Sequence, residues 1–191
     1  MGLHRSAEIA MSVTAILFMA ALQKAEAGAE GTEEGWMLQV RKEKLSHLHF
    51  YFHDTLIGRN ASVVTVAAAN TTKSSRTGFG VVNVMDDLLT EGPKPTSTVV
   101  GRAQGLYTSA CQEEVRLLMA VTYVFYGGKF NGSTLSVVGS NAVFNEEREM
   151  PIVGGTGVFR LARGYALART QTFDLKTGNA IVEYNVHVLH Y

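Results

Sequence analysis

The chain has one cysteine, three prolines and no excess of either charge. Cys111 by itself can neither close an intramolecular disulfide nor assemble a thiolate zinc site, so the fold must stand on packing; as an unpaired thiol it reads as a buried apolar filler. So few prolines exclude a collagen-like or proline-rich linker chain. Lys plus Arg and Asp plus Glu count 17 each, which leaves no net positive field to hold phosphates or an anionic bilayer; neither nucleic acid nor membrane is expected as a partner. Absent too are a nucleophile elbow, a phosphate loop, a His-Glu-x-x-His helix and paired cysteines, so no metal and no organic cofactor is expected. What is present is 46% hydrophobic side chains in 191 residues, enough for one domain with a substantial core.

No apolar run reaches the roughly 20 residues of a bilayer-spanning helix. The longest, 9–22, is diluted by Ser12 and Thr14, follows His4 and Arg5, and leads to Ala25-Glu26-Ala27. Small residues two apart after a short apolar stretch are what a signal peptidase accepts, so 1–27 reads as a cleaved signal. Residues 28–45 lack clean periodicity and read as a mobile leader, leaving a domain over 46–191. Three sequons, at Asn60, Asn70 and Asn131, fit a secreted, extracellular glycoprotein.

From residue 46 on, alternation of period two dominates and no window carries a helical stripe. Strands are expected over 45–56, 62–69, 78–85, 98–109, 114–125, 133–143, 157–172 and 180–189, separated by Gly127-Gly128, Asn131-Gly132, the glycine-rich 154–157 and Thr177-Gly178-Asn179. The run 154–157 reads as a hairpin turn. Eight antiparallel strands without helices to cover a sheet face are best served by closing the sheet into a barrel, with a β-sandwich as the alternative.

Three strands carry informative side chains. In the first, Leu48, Phe50 and Phe52 share a face that Asp54 ends, while His47, His49, Tyr51 and His53 take the other. A carboxylate closing an apolar row needs a partner or a purpose, unless it is solvated at the strand end. The histidine row reads as solvated or subunit-facing, because no acid or thiol completes a metal shell. In the fourth strand, Val99, Gly101, Ala103, Gly105 and Tyr107 form a face of small residues that would either leave open volume in a barrel, with Tyr107 projecting into it, or allow close backbone packing. The last strand sets Ala180, Val182, Tyr184, Val186 and Val188 against Glu183, Asn185 and His187.

Phe52-His53-Asp54, Asp86-Asp87-Leu88-Leu89-Thr90, the run 100–107, Phe130-Asn131-Gly132-Ser133, the run 148–160 opening Arg148-Glu149-Met150-Pro151, Ala162-Arg163-Gly164-Tyr165 and the closing Val188-Leu189-His190-Tyr191 together resemble the plant dirigent proteins. The resemblance spans the whole domain in order. It implies an all-β, eight-stranded antiparallel barrel, secretion to the plant apoplast and cell wall, and a homotrimer. It also implies stereoselective coupling of phenylpropanoid phenoxy radicals, of the lignan or lignin type, with the radicals made by a separate laccase or peroxidase. Proximity and orientation would carry the selectivity, and a pocket acid would protonate a quinone methide. By the same resemblance Asp54, Arg148 and Tyr107 match the reacting pocket residues, and Phe52 and Asn141 would contact the small phenolic substrate. Where lignan-forming members usually place a second aspartate, seven residues before the arginine, this chain has Asn141, which cannot act as a general acid. That departure looks like a branch that includes dehydrating cyclases of isoflavanols. Radical coupling is therefore the leading expectation, isoflavanol dehydration through a quinone methide the alternative, and a non-catalytic wall or defence scaffold the third.

Overall fold

The alternating segments become nine strands in the computed structural model, which describes residues 42–191; the expected signal and all of the expected leader before Lys42 lie outside the described residues. The strands are β1 (Lys44–Asp54), β2 (Val63–Ala67), β3 (Val82–Thr90), β4 (Val99–Ser109), β5 (Arg116–Phe125), β6 (Thr134–Ala142), β7 (Arg148–Thr156), β8 (Arg163–Phe173) and β9 (Ala180–His190). Three short 3-10 turns join them, and there is no α-helix among the described residues. Among those residues, accordingly, no helix is long and apolar enough to cross a membrane.

All pairings are antiparallel, in the order β1-β9-β8-β7-β6-β5-β4-β3, and β1 then pairs with β3 through Tyr51↔Thr90, Phe52↔Leu89 and His53↔Leu88. Eight strands thereby close into a barrel, which removes the free edges an open sheet would leave. β2 stands outside that closure, paired to the first half of β3 through Val63↔Met85 and Val64↔Val84.

The barrel's eight strands are not the eight read from the sequence. That reading counted β2 and passed over β7, whose residues alternate inward and outward as Arg148, Glu149, Met150, Pro151, Ile152 and Val153. A charge at an inward position and a proline within the run disguise it as a loop. Pro151 is tolerated because the β6–β7 ladder ends at Val137↔Ile152, so the two strands diverge beyond it. The turn expected over 154–157 accordingly moves: Gly154 and Gly155 finish β7, and the chain reverses over 157–162, with Gly157 at φ 62° and Leu161 at φ 60°.

One half of the interior is filled by aromatic rings. Phe50 lies edge-on to Tyr123 at 5.1 Å and stacks with Tyr184 at 5.7 Å, while Phe159 meets Phe125 at 5.8 Å and Phe130 at 4.8 Å. Burial of these rings is the main favourable contribution to folding, about 2–3 kcal/mol for each large apolar side chain. The small residues of β4 serve this packing. A Cβ on Gly101 or Gly105 would collide with the carbonyl oxygens of Val124 or Ala120 on β5, so these glycines let β4 press against its neighbour. Of the buried residues of that face, Tyr107 reaches the open volume at the other end of the barrel.

Candidate functional site

At the other end of the barrel the rings stop and the interior opens into a cavity of about 490 Å³. Every one of the eight barrel strands contributes to its wall: Phe52 and Asp54 from β1, Asn83 from β3, Tyr107 from β4, Met119 from β5, Asn141 from β6, Arg148 from β7, Thr170 from β8 and Tyr184 from β9. The five residues singled out in the sequence, Asp54, Tyr107, Arg148, Asn141 and Phe52, therefore line one cavity. Period two explains the convergence, since each occupies an inward place near the same end of its strand.

Asp54 is partly buried, with Oδ1 enclosed and without a hydrogen-bond partner. Burial, and next the charge of Asp87, push its carboxyl up to about 8, although the Tyr107 hydroxyl works the other way. It is therefore an acid that keeps its proton at neutral pH. Tyr107 is buried, and its hydroxyl is held well above its ordinary range by burial and by the carboxyls of Asp54 and Asp87, with Asn83 also in contact. It is a neutral donor that can orient an oxygen beside Asp54.

Across the cavity Arg148 Nε donates to Asn141 Oδ1 at 3.2 Å, and Nη1 donates to the Asn145 carbonyl at 3.4 Å. The first bond spans the gap where β6 and β7 diverge. Arg148 is buried and makes no salt bridge among the described residues. Burial lowers its pKa, offset in part by Tyr184. A guanidinium in an enclosed cavity without a carboxylate favours a ligand oxygen that carries or develops negative charge. At the mouth, Phe144 and Phe173 stand 5.8 Å apart, edge to face and exposed, as is Glu146.

Two features escaped the sequence reading. Asp87, completely buried on β3, influences Asp54 through its charge. The strand was expected to end at Met85; the inward series Asn83, Met85, Asp87, Leu89 was the signal that could have placed it. Tyr184 was read only as one of the last strand's apolar row, yet it also lines the cavity.

Asn60, Asn70 and Asn131 are exposed in turns. His47 and His49 are exposed and bind Asn185 and Glu183 at 2.9 and 2.7 Å. His53 departs from the expected solvated row: it is buried, with Nε2 2.7 Å from Thr90 Oγ1. Burial lowers its pKa. The turn after β3 covers it, since Thr90 Oγ1 in turn donates to the Gly92 carbonyl at 2.7 Å. Cys111 is half-buried, not the buried filler expected.

Residues 45–189 match the family model described as Dirigent-like protein. The chain is 56% identical over 152 residues to Dirigent protein 23 of Arabidopsis thaliana, covering 80% of this chain and 81% of that one. It is 51% identical over 156 residues to Pterocarpan synthase 1 of Glycyrrhiza echinata, covering 81% and 83%. The solved structure of the pterocarpan synthase dirigent protein GePTS1 superposes with a TM-score of 0.75 at 52% identity, covering 80% of this chain and 88% of that one.

Proposed function

The chain belongs to the dirigent family, and from that premise we propose that it closes a ring on an isoflavanol by removing water, through a quinone methide. The observation that carries this reading is the single acid deep in the cavity: Asp54 keeps its proton, while the other polar wall presents Asn141 bound to Arg148. Similarity to relatives named pterocarpan synthase supports it and ranks dehydration above the radical coupling expected first.

The steps balance without an electron acceptor. Asp54 gives its proton to the benzylic hydroxyl, the carbon–oxygen bond breaks and water leaves. The conjugated phenol releases its proton to solvent and becomes the quinone methide carbonyl. A phenol on the pendant ring then adds to the methide carbon, its proton passes to the Asp54 carboxylate, and the carbonyl oxygen recovers a proton. Arg148 faces the oxygen on which negative charge grows, and Tyr107 holds the reacting oxygen beside Asp54. The walls permit one folding of the substrate, which fixes the hand of the product.

Incubation with a racemic isoflavanol and no oxidase, followed by chiral separation, tests this. The expected product has lost one water and is enriched in one enantiomer. Unchanged isoflavanol, together with enantiomeric excess from coniferyl alcohol plus laccase, would establish radical coupling instead.

The protein is proposed to act outside the cell as a glycoprotein, in keeping with the exposed sequons. Assembly as a homotrimer is supported by an outward apolar row that crosses five strands: Val64↔Val84, Val84↔Leu106, Leu106↔Ala120 and Ala120↔Val138. Val64, Val84, Leu106 and Val138 are exposed by 39 to 64%, a contiguity that single surface apolar residues do not show.

A further inference from the structure

The seam that closes the barrel sets two acids side by side. β1 and β3 pair through Tyr51↔Thr90, Phe52↔Leu89 and His53↔Leu88; one step further along the same register brings Asp54 opposite Asp87. Both point inward, Asp54 two residues past the buried Phe52 and Asp87 two before the buried Leu89. Each has an enclosed oxygen with no hydrogen-bond partner, Oδ1 of Asp54 and Oδ2 of Asp87. The other oxygen of Asp87 is accounted for, since Ser62 Oγ donates to Oδ1 and the Thr55 backbone assists. Asp87 is completely buried and does not line the cavity, so it does not reach substrate.

We propose that Asp87 is a positioning residue that shares one proton with Asp54 across the β1–β3 seam and so keeps Asp54 protonated for its role as acid. This rests on Asp54 being the acid of the reaction proposed above. Two enclosed carboxylates facing each other cannot both ionise cheaply, and one shared proton gives each orphan oxygen a partner. Anchored by Ser62 and Thr55, Asp87 ionises first, its carboxyl raised only to about 6, mainly by burial, against about 8 for Asp54. The surrounding groups do not neutralise the pair. From β4, Tyr107 is a neutral phenol, and Arg102, on the outer face with Nε 2.6 Å from Asp86 Oδ1, lowers Asp87 by its charge while Asp86 raises it, which leaves Asp87 the first of the pair to ionise. From β9, Tyr184 is a phenol raised to about 12, mainly by burial, and Arg148 of β7 acts on it. His53, next along β1, turns to Thr90 on the opposite face.

The test is a carbon-13 NMR titration of aspartate carboxyls in the folded protein, for wild type and Asp87→Asn, beside the pH profile of ring closure. Removing the like charge should lower the Asp54 midpoint by about one unit or more. The high-pH limb of kcat should move down equally, a loss of about tenfold above it. An Asp54 midpoint that stays in place in folded Asp87→Asn overturns the proposal. If that variant does not fold, Asp54→Asn reads the other half: Asp87 ionises while Asp54 still holds the shared proton, so exchanging that carboxyl proton for a weaker amide donor must raise the Asp87 midpoint, and an unmoved or lower midpoint overturns the proposal. The titration needs no substrate. A shifted midpoint without isoflavanol turnover would therefore retain the proton-sharing pair and remove only the reaction assigned to it.

Discussion

A carboxyl that holds its proton to about pH 8 is useful chemically and costly structurally, and both sides can be measured at Asp54. An acid whose folded pKa is raised binds its proton more tightly folded than unfolded. Its stabilising contribution is full below the ordinary carboxylate value of about 4 and is lost as pH rises through the folded pKa. Wild type should therefore lose stability between about pH 4 and pH 8 on account of this group, and of Asp87 with the same sign. Asp54→Asn removes the ionisation, so it should be more stable than wild type at pH 8 by up to about 5 kcal/mol, the difference shrinking toward pH 4. Urea denaturation of both proteins at the two pH values checks this; equal stability at pH 8 would mean that Asp54 is solvated. Arg148 yields the second prediction at this scale. Asn141→Asp places a carboxylate about where Oδ1 now accepts from Nε at 3.2 Å, so the charge meant for a ligand oxygen would be spent within the protein. The variant should fold, bind a phenolic ligand about tenfold or more weakly by calorimetry, and lose ring closure in proportion.

At the scale of strands, legibility followed the alternation of residue types. β1 and β9 were readable because Leu48, Phe50, Phe52 and Val182, Tyr184, Val186, Val188 keep strict period two. β7 and the end of β3 were not, because Arg148 and Asp87 put charge on the inward face. These inward charges that hid the strands belong to the site itself: Arg148 lines the cavity, and Asp87 acts on a group that does. Asp54 was legible as an anomaly in an otherwise apolar row, whereas the role of Arg148 came from resemblance alone. The small-residue face of β4 was ambiguous in sequence, since open volume and close packing require the same composition; Gly101 and Gly105 resolve it toward close packing. Gly101→Ala should thus cost about 3 kcal/mol or more in denaturant unfolding, because its Cβ meets the β5 backbone at Val124 rather than a side chain that can move. A loss below about 0.5 kcal/mol would show that the two strands can separate without penalty.

For the whole molecule, the barrel is divided along its axis. Aromatic rings fill one half and stiffen it, and the other half holds polar groups around a space of about 490 Å³, a size suited to a small aromatic ligand. The rigid half lets the open half keep a buried acid and a buried guanidinium apart instead of collapsing them into an ion pair. Outside, the apolar row from β2 to β6 should be covered by another copy of the chain. Leu106→Glu, at the middle of the row, should convert the assembly to monomers by light scattering; a wild type that is already monomeric would leave the row unexplained. Delivery of a proton by Asp54 in an oxidant-free dehydration is read from the rate at which a chiral, dehydrated product forms from an isoflavanol under anaerobic conditions. Wild type should form it, and folded Asp54→Asn should be slower by about 10²-fold or more. Equal rates in the two proteins would remove Asp54 from the reaction.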